Sequence, residues 1–171
     1  GGSFCITVAK STSAYQENTR QIEDVLADEE RLGLGTARPF EQFRDKVFRH
    51  RSELCAFIKQ VHGQGRTIYG YGASTKGNVI LQFCNLTTAE IPAIAEVNED
   101  KFGAYTPRTL IPIRSEAEVR AADPDYLLVL PWHFKQNILQ REKAYLARGG
   151  KLVFPLPRIE VVTRAGVRAA A

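Results

Sequence analysis

The feature that most constrains the fold of this chain is a glycine turn between a strand-like run and a helix-like segment. Residues 67–69 (TIY) precede the stretch GYGASTKGN, and the apolar-periodic residues 79–83 follow it. This order predicts a strand, a tight turn and a helix, in which backbone N–H groups and the helix N-terminus favour an anion. The turn is therefore predicted to bind phosphate through Gly70, Tyr71, Gly72, Ala73, Ser74, Thr75, Lys76, Gly77 and Asn78.

Strand-like and helix-like segments continue to alternate along the rest of the chain. The strands are predicted at residues 66–71, 91–97, 109–113, 126–130 and 151–154, and the helices at residues 75–84, 115–121 and 134–147. Ser115 is a predicted N-cap, and the continuously apolar run YLLVL is typical of a strand that is covered on both faces. Alternation at this spacing predicts an α/β fold with a doubly wound, Rossmann-like parallel sheet.

The first residues of the chain have a different pattern. Residues 4–8 (FCITV) predict a short strand without a nearby partner, which suits the last strand of a preceding domain. Residues 10–37 are polar and acidic, and they predict a connector with one short helix at residues 16–26. We therefore expect residues 1–37 to be the tail of a preceding domain plus a linker.

A long helix is predicted to follow the connector. Pro39 suits its first turn, apolar residues recur at helical spacing, and Gly63 suits its C-terminal end. His50 and His62 are expected on the surface of this helix. Residues 38–171 then form the Rossmann-like domain, to which the N-terminal strand and the long helix would be an appendage.

Composition and charge exclude several classes of protein. The 171 residues are 44% hydrophobic and 25% charged, and the basic residues behind the net charge of +4 are scattered, which argues against nucleic-acid binding. No apolar run approaches the roughly 20 residues of a membrane-spanning helix. The cysteines, Cys5, Cys55 and Cys84, form no Cys-x-x-Cys motif, so we expect no metal site and buried, reduced thiols in a cytoplasmic protein. The chain lacks methionine, which favours a piece of a longer protein.

Four predicted loops lie at the carboxyl edge of the sheet, where doubly wound folds bind their ligands. They are residues 70–78, 96–107, 131–134 and 155–157. Glu96 ends the second strand, where an acid in dinucleotide-binding folds bonds ribose hydroxyls. An aromatic or imidazole ring at such a strand end can stack on a base or bond a phosphate. The further candidate binding residues are Asn98, Lys101, Tyr105, Thr106, Trp132 and His133.

The glycine turn departs from two known nucleotide motifs. A G-x-G-x-x-G pattern would need glycine at Thr75, and a Walker A motif would need G-x-x-x-x-G-K-[ST]. An NAD-binding oxidoreductase domain is therefore an alternative that the missing glycine disfavours. A second alternative is a non-catalytic interaction module, in which the turn is only a corner of the fold, Glu96 is solvated and His133 is structural. No Ser-His-Asp or Cys-His arrangement indicates a catalytic site.

Five segments together resemble one known family. In order they are GGSFCITVAK, GYGASTKGN, AEVNEDKFGAYTPRTLIPI, DPDYLLVLPWHF and ARGGKLVFPLP, and they span nearly all of the chain. They resemble the C-terminal domain of the sugar C-methyltransferases, which use S-adenosylmethionine to methylate a carbon of a nucleotide-linked ketosugar. The first segment resembles the end of that family's methyltransferase domain.

The resemblance implies which roles this chain can have. Family members carry an N-terminal zinc-binding domain, a central domain that binds S-adenosylmethionine, and a C-terminal Rossmann-like domain that helps to hold the nucleotide sugar. We therefore expect a nucleotide diphosphate sugar as ligand and the preceding methyltransferase domain as partner. S-adenosylmethionine would be bound by the full-length protein but not by this chain. No catalytic residue is expected here, and this chain alone should be inactive.

Overall fold

The computed structural model describes residues 4–169, which fall into two compact units divided between Asp45 and Lys46. Helix α1 spans Thr19–Arg31 and buries none of its residues, and helix α2 spans Arg38–Gly63. Both helices were predicted, although α1 begins and ends later than expected. The strand predicted at residues 4–8 is absent, so that prediction was wrong. Aromatic and β-branched residues favour strands, but a strand needs a hydrogen-bonded partner.

The second unit contains one sheet of seven strands. The strands are β1 Ile68–Tyr71, β2 Ile94–Glu96, β3 Ile113–Ser115, β4 Tyr126–Val129, β5 Lys151–Phe154, β6 Glu160–Thr163 and β7 Gly166–Ala169. Their order is β3-β2-β1-β4-β5-β6-β7, in which the first five run parallel and the last two pair antiparallel. Gly70 on β1 lies opposite Ile94 on one side and Leu128 on the other. The Rossmann-like α/β prediction is confirmed.

Short helices connect the parallel strands. They are α3 Thr75–Phe83, α4 Glu116–Ala121, α5 Lys135–Arg141 and α6 Lys143–Ala147, with single 3-10 turns at Glu99–Lys101 and Trp132–Phe134. The predicted N-cap is confirmed: the Ser115 hydroxyl accepts from the Glu118 N–H, and the Glu118 carboxylate accepts in return from Ser115.

The helix predicted at residues 134–147 is interrupted. It is a 3-10 turn followed by α5 and α6, and the break between the two helices lies at Glu142. The break coincides with the burial of the Glu142 carboxylate, which contacts Arg120 and Tyr71. Helical periodicity alone could not reveal this tertiary contact.

Two further corrections concern strands. The strand predicted at residues 109–113 begins only at Ile113, because Arg108 and Leu110 have positive φ angles of 67° and 54°. The Thr106 hydroxyl holds this turn by accepting from the Ile111 N–H at 2.9 Å. The hairpin of β6 and β7 was not predicted, because it falls outside the strand–helix alternation.

The sheet is covered on both faces, as the YLLVL run predicted. On one face Ile68, Leu128 and Val153 pack with buried residues of α2 and α3. On the other face Leu127, Val129 and Leu152 pack with Val119, Ile138 and Tyr145. Successive residues of β4 therefore point to opposite cores, which explains why the strand has no polar position.

Some expectations about single residues need correction. Cys84 is buried as predicted, but Cys55 is only partly buried and Cys5 is exposed. His62 is exposed as predicted, whereas Nε2 of His50 is buried without a hydrogen-bond partner. Burial accordingly lowers the pKa of His50.

Within residues 4–169, no helix has the length and apolar character needed to cross a membrane, and no three metal-ligating side chains cluster.

Candidate functional site

A cleft of about 390 Å³ opens at the carboxyl edge of the parallel sheet. It lies beyond β1 and β4, and these are the adjacent strands at which the strand order reverses direction. Crevices at such a reversal are where doubly wound folds bind ligands. The cleft is lined by the β1–α3 turn, the end of β2, part of the loop after β2, and parts of α4, α5 and the turn before α5.

Glycines let the β1–α3 turn pass close to the β4 end. Gly72 has a φ of +78°, and a Cβ at this position would lie 2.8 Å from both Cδ and Cγ of Pro131. A Cβ on Gly77 would lie 2.5 Å from Cβ of Leu130. Both positions therefore exclude larger side chains for reasons of packing. The fold alone requires these two glycines, whether or not a ligand binds.

The N-terminus of α3 forms one rim of the cleft. Ser74 is its N-cap, and its hydroxyl accepts from the Gly77 N–H at 3.0 Å. Ser74 and Thr75 line the cleft, whereas Lys76 is exposed and Gly77 is buried in the turn. A helix N-terminus leaves its first N–H groups without intrahelical acceptors, so this rim favours a negatively charged group.

Glu96 has a structural role that its sequence position did not reveal. Its Oε1 accepts from the N–H groups of Val97 and Asn98 at 2.8 and 3.0 Å. Its Oε2 accepts from the Ala73 N–H at 2.9 Å and from Lys101 Nζ at 3.2 Å. Lys101 Nζ also donates to the Ala73 carbonyl at 2.9 Å. The carboxylate and the ammonium together tie the loop after β2 to the glycine turn.

These contacts keep Glu96 ionised. Burial by itself would raise the pKa of Glu96, but the N–H groups of Asn98 and Val97 and the Lys101 ammonium outweigh burial, so the pKa lies below its usual value. Glu96 is therefore a carboxylate at neutral pH and is unsuited to act as a general acid. Its low exposure, 7%, agrees with a role inside the protein.

The hydrogen bonds of Glu96 also bear on adenosine-containing cofactors. NAD and S-adenosylmethionine both carry a ribose, whose hydroxyls an acid at the end of the second strand of a dinucleotide-binding fold would accept. A carboxylate has about four lone-pair positions, and all four of these positions in Glu96 already have donors. The residues present therefore do not fit an adenosine cofactor at this position.

A network of polar and charged side chains supports another part of the cleft, whose lining includes Tyr71, Glu116 and Arg141. Glu142 is 2% exposed, and both of its oxygens accept from Arg120 Nη2 at 2.8 Å. The Tyr71 hydroxyl donates to the same carboxylate at 2.8 Å. Burial and the nearby Glu142 carboxylate raise the pKa of Tyr71, so its hydroxyl stays protonated. At the surface of this network, Arg141 Nη2 donates to Glu116 Oε2 at 2.6 Å.

The structure brings only some of the predicted binding residues together. The members that line the cleft are Tyr71, Gly72, Ala73, Ser74, Thr75, Glu96 and Lys101. The members outside its lining are Gly70, Lys76, Gly77, Asn78, Asn98, Tyr105, Thr106, Trp132 and His133. That any of them binds a ligand stays a prediction.

Several of the residues outside the lining have contacts of their own. Asn98 caps the 3-10 turn through Asp100, and Thr106 is 1% exposed and bonded to Thr109. Trp132 is partly buried against both cores. His133 is exposed, with its ring centroid 4.2 Å from that of Phe134.

Sequence reasoning missed seven residues that line the cleft, namely Ala95, Val97, Glu116, Pro131, Phe134, Ile138 and Arg141. Phe134 lies within the predicted loop 131–134, of which only Trp132 and His133 were candidate binding residues. Arg141 and Glu116 are separated by 25 positions, and each looks like an ordinary helix-surface charge. A signal for Arg141 was its place on the helix after β4, one of the two strands at the reversal point.

Comparison with known proteins gives two matches. Residues 1–157 match the family model described as the C-methyltransferase C-terminal domain. The chain is also 32% identical, over 163 residues, to the C-methyltransferase NovU of Streptomyces niveus. That alignment covers 95% of this chain but only 39% of NovU.

Proposed function

We propose that this chain holds the nucleotide-linked ketosugar on which a methyltransferase acts. The premise is that the chain belongs to the family of C-methyltransferase C-terminal domains. The family and the relative are methyltransferases. The chain spans only 39% of the length of that relative. That it acts as part of a whole methyltransferase is therefore included in the proposal. S-adenosylmethionine would supply the methyl group from a site outside this chain.

The observation that carries the proposal is the cleft at the carboxyl edge of the sheet. It combines an α3 N-terminus, which suits phosphate, with polar and aromatic side chains further along its wall. The residues of this chain would bind and orient the sugar nucleotide. Fixing a substrate in position contributes to catalysis without any proton transfer by the residues that fix it.

The hydrogen bonds of Glu96 favour this function over an NAD-dependent one. The acid that would hold the ribose of NAD is Glu96, and its lone pairs are taken by Ala73, Val97, Asn98 and Lys101. A sugar nucleotide that places its diphosphate at the α3 N-terminus does not need this acid. We therefore favour nucleotide-sugar binding over hydride transfer.

Calorimetric titration of the chain with thymidine diphosphate glucose tests the proposal. We expect saturable binding that Lys76→Ala weakens by about three- to tenfold, because one exposed positive charge next to the phosphates is lost. Lys59→Ala, which removes an exposed charge from α2, is the matched control and should bind like the unchanged protein.

Two outcomes would count against the proposal. Absence of binding to thymidine, uridine and guanosine diphosphate sugars alike would reject the nucleotide-sugar function. Enhanced NADH fluorescence on mixing with the chain would favour the oxidoreductase alternative and would require Glu96 to exchange its present partners.

A further inference from the structure

We propose that Glu116, Arg141 and Phe134 form the subsite for the sugar ring of the nucleotide-sugar substrate. The inference rests on the proposed function and assigns a part of the ligand to a part of the cleft. The three side chains come from α4, α5 and the turn before α5, and all three line the cleft. None of them was a candidate on the basis of sequence.

The Glu116–Arg141 pair matches the hydrogen-bonding character of a sugar. Each sugar hydroxyl both donates and accepts, whereas a carboxylate only accepts and a guanidinium only donates. Arg141 uses one of its five N–H donors on Glu116, at 2.6 Å, and its side chain is 47% exposed. The side chain of Glu116 is 19% exposed. The free N–H donors of Arg141 and the carboxylate acceptor of Glu116 thus lie side by side for the hydroxyls of a sugar.

The charge balance of the cleft favours an uncharged ring over a diphosphate at this wall. The charged residues of its lining are two cations, Lys101 and Arg141, and two carboxylates, Glu96 and Glu116. Each cation contacts one carboxylate of the lining. A diphosphate placed beside Glu116 would face a negative charge at close range. The α3 N-terminus offers partial positive charge, and the Glu96 carboxylate beside it is already bonded to Lys101 and to three backbone N–H groups.

Phe134 supplies an apolar surface in the lining of the same cleft. Its side chain is 56% exposed although it lies at the cleft. Ligand sites commonly combine exposed aromatic rings with a few placed polar groups. In the proposed subsite the C–H face of a hexose covers the Phe134 ring, and its hydroxyls bond Arg141 and Glu116.

The ion pair is held in place from behind. Arg120 Nη2 lies 3.8 Å from Glu116 and donates to both oxygens of buried Glu142. The Arg141 guanidinium lies 5.9 Å from the centroid of the Tyr71 ring, and its Nε lies 4.0 Å from Glu142. The pair is therefore preorganised, which lowers the entropy lost when a ligand binds.

The test compares thymidine diphosphate with thymidine diphosphate glucose by calorimetric titration. The unchanged protein should bind the glucose derivative about tenfold more tightly than thymidine diphosphate. Arg141→Ala should abolish that difference and leave the affinity for thymidine diphosphate unaltered. Arg148→Ala is the matched control, because Arg148 is 49% exposed and also lies over a tyrosine ring, that of Tyr145, but outside the cleft lining.

A second variant guards against a folding defect in Arg141→Ala. Phe134→Ala removes an exposed ring and should also reduce the preference for the glucose derivative without lowering the melting temperature.

Equal weakening of both ligands by Arg141→Ala would assign this residue to the diphosphate and overturn the inference. Equal binding of both ligands by the unchanged protein would also overturn it, yet leave nucleotide binding in this cleft intact. Binding of neither ligand would reject the proposed function and this inference with it.

Discussion

Gly72 shows how one residue of the cleft is determined by its neighbours. Its φ of +78° lies in the region that disfavours side chains, and Pro131 occupies the space that a Cβ would take. The sequence suggested that Gly72 serves phosphate binding, whereas the structure explains this glycine by the close approach of two loops. The same residue can serve both purposes, because a turn without side chains also exposes backbone N–H groups.

We predict that Gly72→Ala lowers the free energy of unfolding more than Gly103→Ala does. Gly103 has a nearly identical φ of +77°, but no atom lies within 4 Å of the place that its Cβ would take, so this variant measures the backbone strain alone. Gly103→Ala should cost about 1–2 kcal/mol, and Gly72→Ala about 1–3 kcal/mol more because of the contact with Pro131. Urea denaturation measures both, and equal losses would contradict the importance of that contact.

At the scale of secondary-structure elements, Glu96 and Lys101 join the β1–α3 turn to the loop after β2. Four donors surround one carboxylate, and three of them are backbone or side-chain groups within five positions of Glu96. The fourth, the Ala73 N–H, is 23 positions away. This long-range hydrogen bond, together with the one from Lys101 Nζ to the Ala73 carbonyl, turns a local loop motif into a link between two strand ends.

We predict that Glu96→Gln lowers the free energy of unfolding at pH 7 by about 1–3 kcal/mol, because a charged acceptor of four hydrogen bonds is replaced by a neutral amide. The pKa of Glu96 in the folded state lies below 4.5, its usual value. Its contribution is therefore fully present above about pH 4.5 and is lost as the pH falls through the lower, folded-state pKa.

The corresponding measurement is urea denaturation of both proteins between about pH 7 and pH 3. The stability difference between the unchanged protein and Glu96→Gln should shrink at the acidic end. Glu99→Gln, an exposed change in the adjacent 3-10 turn, should show no comparable effect. A difference that stays constant down to the acidic limit would contradict the assigned protonation state.

At the scale of the whole molecule, the two units differ in how much they bury. The strands β1 and β4 contain Ile68, Leu128 and Val129, each 0% exposed. Helix α1 buries nothing, and its apolar Ile22, Val25 and Leu26 are all more than half exposed. Stability in a protein is distributed according to such differences in burial.

We therefore predict that hydrogen exchange separates α1 from the sheet. Backbone amides of α1 should exchange at least about a hundredfold faster than those of β1 and β4, because α1 can open without exposing buried surface. Mass spectrometry of peptides after timed exchange measures both regions in one sample. Protection of α1 equal to that of β4 would show that the helix is covered in solution.

Local sequence patterns determined most of the fold. Apolar runs and helical spacing specified β1, α3, β4 and β5, because period and burial are properties of contiguous residues. The Ser115 cap was predictable because both partners of its capping box lie within three positions. The break at Glu142 was not, because contacts from distant elements decide it. The late start of β3 was not either, because it depends on positive φ angles at Arg108 and Leu110 in a turn that Thr106 holds.

The sequence by itself thus determined the class of the fold, the strand–helix order and the edge of the sheet at which a site would lie. Only the tertiary structure decided which side chains meet there. It showed that the hydrogen-bonding capacity of Glu96 is used inside the protein, and it brought Glu116, Phe134 and Arg141 to one cleft. The physical reason is that patterning acts between neighbours in the chain, whereas a site is built from side chains that packing brings together across it.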